Sequence, residues 1–183
     1  MSLQNARGLT CDVADNDYQR FVAGILGRAD TTGFEHPSAM QTVFSLTTTA
    51  SMITYDLEAA VHRPLGLSWA AYRLMVVLFV SGPVDPTTAA PRAAMSRATV
   101  SSLANSLERD GLLVREPADH DKRSVVLALT DKGRALLDEA KRANNEREEV
   151  WCGVLTEDER QQLVGLLAKL AAQPAETDVR QRN

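Results

Sequence analysis

Apolar residues recur at helical spacing along most of the chain. Residues 15–28 are predicted to form a first helix, with Phe21, Ile25 and Leu26 on one side, and the turn-rich stretch 30–37 a loop. A longer helix is expected over residues 38–62, where Val43, Leu46, Met52, Leu57 and Val61 are among the apolar positions. Its middle, Thr47-Thr48-Thr49, is poor in helix formers, so packing must hold it. Pro64 disfavours helix at Arg63 and lacks a backbone donor, which ends this helix near His62. Ser68 then caps a helix that begins Trp69-Ala70-Ala71-Tyr72-Arg73 and runs through residues 74–80, all apolar, to Gly82-Pro83. A helix apolar on nearly every face is expected to be buried on nearly every face, at the centre of the domain.

The next stretch is more specific. Asp85-Pro86 reads as the cap and first-turn proline of a short helix to about residue 93, followed by a turn through Ala94 and Met95. Ser96 caps a second helix over residues 97–110, which Gly111 terminates. A short helix, a tight turn and a capped second helix make a helix-turn-helix. In the second helix Val100, Leu103, Ala104 and Leu107 recur at three- and four-residue spacing and face the core. Ala98, Ser101, Ser102, Asn105 and Arg109 then face outward, small or hydrogen-bonding residues of the kind a helix in a major groove needs. Ser96, Arg97 and Thr99 occupy the cap and first turn, where backbone amides can also meet a phosphate. A plain solvated face would have the same composition.

Residues 112–115 read as a strand, 116–123 as a polar turn and 124–129 as a β-rich return strand, together a wing. Its tip brings Lys122 and Arg123 within reach of a phosphate or a minor groove, with Asp121 placed to pair with Arg123; by itself the segment also reads as an ordinary charged hairpin. After Thr130 a long helix is predicted to about residue 153, with Leu136, Leu137, Ala140, Val150 and Trp151 apolar. Its stretch 141–149 is almost wholly polar and cannot be a core stretch on all sides. Thr156 and Glu159 form a capping box for a last helix with Leu163, Leu166, Leu167 and Leu170 as its stripe. Residues 1–13 and 173–183 are expected to be disordered. The fold class is mainly α with a small β-wing.

Composition narrows the function. At 183 residues, 44% apolar and 24% charged, the chain suits one ordinary globular domain. No apolar run approaches the ~20 residues of a membrane span. The N-terminus carries Asp12, Asp15 and Asp17 with no basic segment before an apolar core, so a cytoplasmic location is expected. Cys11 and Cys152 cannot build a disulfide framework, and His36, His62 and His120 lack metal-ligand spacing, so neither metal nor cofactor is expected. Phosphate-loop, Gly-x-Ser-x-Gly and His-Glu-x-x-His motifs are absent, and no catalytic cluster indicates an enzyme. Net charge is −4, and residues 92–123 hold six cationic against five anionic side chains, which argues against tight binding to DNA irrespective of sequence.

Several of these stretches resemble the MarR (multiple-antibiotic-resistance regulator) family. Leu65-Gly66-Leu67-Ser68 is similar to the entry to its second helix. Met95-Ser96-Arg97-Ala98-Thr99-Val100-Ser101 and Leu107-Glu108-Arg109-Asp110-Gly111-Leu112-Leu113 resemble its recognition helix and exit. Asp121-Lys122-Arg123-Ser124-Val125 with Leu129-Thr130-Asp131-Lys132-Gly133 resembles the wing signature, the most specific piece, and Leu155-Thr156-Glu157-Asp158-Glu159-Arg160 the opening of the last helix. The resemblance covers about residues 38–172. It implies a winged helix-turn-helix lobe (residues 65–130) flanked by N-terminal (14–64) and C-terminal (131–172) dimerisation helices. The implied function is that of a ligand-responsive repressor, a homodimer on a palindromic operator in double-stranded DNA. A winged-helix protein-interaction module without operator binding is the alternative. Relatives take small aromatic ligands between the dimer helices and the DNA-binding lobe, which makes Trp69 and Tyr72 candidate effector-binding residues. Ser102, Ser106 and Ala118 depart from the family pattern, and Pro91 inside the short helix is expected to distort it or delay its start.

Overall fold

The computed structural model describes residues 35–118 and 121–172, with Arg20 and Gly24, which are helical; of 118 and 121–124 it describes the backbone alone. The rest of the first predicted helix, both terminal segments, and Asp119 and His120 lie outside the described residues. The order of elements is α1 (Pro37–Leu57), a π-helical turn (Glu58–His62), a 3-10 turn (Arg63–Leu65), α2 (Trp69–Ser81), α3 (Pro86–Arg92), α4 (Arg97–Arg109), β1 (Leu113–Ala118), β2 (Asp121–Leu129), α5 (Asp131–Cys152) and α6 (Glu157–Ala171). No single helix among the described residues is long and apolar enough to cross a membrane.

The chain divides into two compact units, Met1–Met52 and Ile53–Asn183. In the first, α1 exposes Val43, Phe44, Leu46 and Met52. Its hydroxyl residues are satisfied within the helix: Thr47 Oγ1 donates to the Val43 carbonyl at 2.8 Å and Ser51 Oγ to that of Thr47 at 2.8 Å. Leu57 is the one buried residue of α1, and Thr48 in its threonine-rich middle is half-buried.

The second unit is built around α2. Ser68 Oγ accepts from the Ala71 amide, and Gly82, at φ 71°, ends the helix. Leu74 and Met75 are fully buried, with Ala71, Tyr72 and Leu78 beside them, and they pack on Val100, Ala104 and Leu107 of α4, Leu127 of β2 and Leu137 and Ala140 of α5. Burial is not complete all round: Phe79 and Val80 are exposed, and the Lys141 ammonium lies 3.7 Å from the Phe79 ring centre. The strands form an antiparallel pair in the register Leu113 to Leu129, Arg115 to Leu127 and Pro117 to Val125. Val84 adds an isolated bridge to Leu127. The polar segment read as a turn is largely strand. Backbone pairing carries the hairpin through Glu116, Pro117 and Ala118 on one side and from Asp121 on the other, because an antiparallel ladder needs no apolar side chains where a hairpin projects from the core.

Candidate nucleic-acid interface

The site is assembled from local signals. Asp85 Oδ1 accepts from the Thr87 and Thr88 amides at 2.8 and 3.0 Å, so α3 starts directly at Pro86 and does not begin late. Pro91 withholds one backbone donor from a helix that ends one residue later. The exit from α3 is a left-handed turn at Ala94, φ 50°, closed by Met95 N to the Ala90 carbonyl and Ala94 N to that of Pro91. Arg73 of α2 also donates to the Ala93 carbonyl, which ties this turn to the core.

Ser96 then caps α4, its Oγ accepting from the Thr99 amide at 3.1 Å and lying 2.8 Å from Thr99 Oγ1. At the other end Gly111 takes φ 71°, with Leu112 N bonded to the Leu107 carbonyl and Gly111 N to that of Glu108. The phase is as expected: Val100, Ala104 and Leu107 are buried, and Arg97, Ala98, Thr99, Ser102, Asn105 and Arg109 are exposed. Ser101 is half-buried, at the margin of that face, and Ser96 is exposed at its head. Arg109 bonds Ser106 Oγ at 3.0 Å and lies 3.7 Å from Asp110. Among the described residues, Arg97 has no ion-pair partner. The backbone of Asp121, Lys122 and Arg123 begins β2; the side chains of these three candidates lie outside the described residues.

The start of α5 holds the exit of α4 in place. Thr130 Oγ1 donates to the Gly111 carbonyl at 2.7 Å and accepts from the Gly133 amide at 3.0 Å, while Lys132 Nζ donates to the Asp110 carbonyl at 2.8 Å. A Cβ at Gly133 would lie 2.0 Å from the Leu112 carbonyl oxygen, so only glycine permits this approach. The Leu129-Thr130-Asp131-Lys132-Gly133 stretch is thus a clamp on the exit of α4.

Three groups escaped the sequence reading. Arg115 of β1 donates to Asn105 Oδ1 at 2.7 Å and pairs with Glu108. Arg147 of α5 makes a two-pronged pair with Asp56, 2.6 Å on each arm, to which Trp151 Nε1 adds a bond at 2.8 Å. The hydrogen bond from Arg147 is the main reason the Asp56 carboxyl titrates below its ordinary range. His62 is fully buried, its ring 4.6 Å from that of Tyr72 and 5.4 Å from that of Trp69, and neither nitrogen has a hydrogen-bond partner. Burial holds the imidazole pKa below its ordinary value, opposed by the Asn144 side chain and by the charge of Glu58. Asn144 is also buried, with an unpartnered Oδ1. The candidate effector residues Trp69 and Tyr72, with rings 5.9 Å apart, therefore belong to one aromatic cluster around His62.

A model of the MarR family matches residues 65–124. The uncharacterized HTH-type transcriptional regulator YkoM of Bacillus subtilis is 34% identical over 104 residues, which cover 57% of this chain and 68% of YkoM. The transcriptional repressor CouR, bound to a 23-mer DNA duplex, is 30% identical, with a TM-score of 0.65 over 70% of this chain and 90% of CouR. CouR from Rhodococcus jostii RHA1 bound to p-coumaroyl-CoA shares the fold at 23% identity, with a TM-score of 0.67 over 73% of this chain and 93% of that one. With a helix-turn-helix, a two-stranded wing and relatives of this similarity, the chain belongs to the MarR family of transcriptional regulators.

Proposed function

We propose that this protein is a ligand-responsive repressor that binds a palindromic operator as a homodimer. The observation that carries the reading is the exposed face of α4, where Arg97, Ala98, Thr99, Ser102, Asn105 and Arg109 stand clear of the core on a helix fixed at both ends. A rigid helix with short polar side chains suits base-edge contact, and Arg97 with the first-turn amides suits a phosphate. The occurrence of CouR on a DNA duplex supports the same use. The homodimer is supported by α6, which buries none of its residues and exposes Leu163, Val164, Leu166, Leu167 and Leu170, and by the exposed apolar positions of α1. Residues 14–64 and 131–172 are the dimerisation segments in this reading, and Lys122 and Arg123 of the wing meet the phosphates.

The effector is a small aromatic acid or phenol bound beside Trp69 and Tyr72. The clustered rings of Trp69, Tyr72 and His62 support a ligand with an aromatic ring. Only a difference in affinity between the two arrangements of the dimer lets such a ligand release DNA.

Selection of bound duplexes from a random pool tests operator binding. Enrichment of a palindrome whose half-sites lie about one helical turn apart is the expected result; no enrichment overturns it. The near-balance of charge in residues 92–123 favours the alternative, a protein-interaction module. That reading requires DNA binding to be absent at low salt as well.

A further inference from the structure

We infer that Arg115 is a positioning residue that fixes the side-chain amide of Asn105 as a donor, so that the base it meets is guanine in preference to adenine. The inference rests on the operator-binding reading and specifies how one position of α4 reads DNA.

An unconstrained asparagine offers a donor and an acceptor side by side, the pattern that matches adenine, and can turn over to present either order. Asn105 is constrained. Arg115 Nη2 lies 2.7 Å from its Oδ1, and a guanidinium has donors only, so the atom facing it must be the carbonyl oxygen. The guanidinium is itself held: Nη1 pairs with Glu108, one turn further along the same helix. Its backbone is fixed in β1 opposite Leu127, a fully buried residue bonded through its own backbone to Val84. Asn105 is exposed, and its Nδ2 has no partner among the described residues.

The groove is therefore met by an N–H with a cation behind it. Guanine offers N7 and O6, two acceptors, to that donor. Adenine brings its own amino donor against an oxygen already bonded to a guanidinium, and cytosine brings only a donor. Sequence inspection of α4 alone could not reveal this, because the group that sets the polarity lies on the wing strand.

The test compares sites selected from a random duplex pool by the full-length protein and by variants, with thermal melts and salt dependence measured in parallel. Wild type is expected to favour guanine over adenine at one position per half-site by roughly five- to hundredfold. Asn105→Ala should abolish preference at that position. Arg115→Met should bring guanine and adenine to within about threefold there, leaving the other positions and the salt slope unchanged. Arg115→Lys, which keeps the charge and one donor, should restore part of the guanine preference. Asn105→Asp keeps a carboxylate for Arg115 to hold but has no donor, and should lose guanine even if Arg115→Met does not fold. An unchanged position in Arg115→Met, or guanine retained in Asn105→Asp, overturns the inference. A palindrome that Asn105→Ala leaves intact overturns it while operator binding stands; no selected site in the wild type overturns both.

Discussion

His62 sits fully buried against two aromatic rings with neither nitrogen bonded, so a proton added to it is unwelcome in the fold. Its pKa is lowered on folding, chiefly by burial, and the unfolded chain therefore binds the proton first. Stability from this residue is complete above the ordinary imidazole value of about 6.5 and is lost as the pH falls below it toward the depressed folded value. His62→Phe should flatten that part of the stability curve; thermal melts between pH 5 and 8 would reveal it, and an unchanged slope would show that His62 does not titrate there. Gly133 gives a second residue-scale expectation. Gly133→Ala must push the Leu112 carbonyl away and should cost about 1–3 kcal/mol, read by denaturant unfolding. The two cases differ in legibility. Caps such as Ser68, Asp85, Ser96 and Thr156 depend on neighbours three residues away and could be read directly from the sequence. His62, Asn144 and Arg115 take their roles from partners distant in the chain, and no local pattern marks them.

Among the elements, α5 shows how a correct spacing was hidden by residue type. Leu137, Ala140 and Asn144 are buried at three- and four-residue steps, and Arg147 and Trp151 continue the same stripe onto Asp56 of α1. The polar composition of residues 141–149 concealed an inner face that is itself polar, with Asn144 buried and Arg147 paired to Asp56. Asp56→Asn should remove one charge from a half-buried two-pronged pair and cost about 1–2 kcal/mol at neutral pH. Because the Asp56 pKa is lowered on folding, its contribution is present above the ordinary carboxylate range and disappears as the pH falls through the depressed value. Acid titration of unfolding in wild type and Asp56→Asn should converge at low pH; curves that remain parallel would show that the pair does not act as described. The wing was recognisable by its β-rich return strand, but its length was not, since main-chain pairing continued through residues chosen for solvent.

For the whole molecule, the exposed apolar positions of α6 and α1 are where the proposed homodimer can be tested. Leu163→Glu combined with Leu167→Glu should leave a folded monomer by sedimentation and weaken operator binding by roughly a hundredfold or more, as two linked half-site contacts become independent. A dimer that survives both substitutions would place the contact elsewhere. Arg123→Ala should weaken binding to all sequences alike and reduce the salt slope by about one unit. The fold class was visible in the sequence because most helices carry a readable start or stop, such as Ser68 and Gly82, Asp85, and Ser96 and Gly111. The apolar stripe of α6 was visible too, as Leu163, Leu166, Leu167 and Leu170. Thr130 returns the chain to Gly111 by a hydrogen bond of 2.7 Å, so the wing is a ring closed at its base whatever lies in between. Lengthening such a ring costs only about 0.6 kcal/mol per doubling. Insertions or charge changes at the tip should thus leave the exit of α4 in place, so the reach of the hairpin can be altered without disturbing the helix before it.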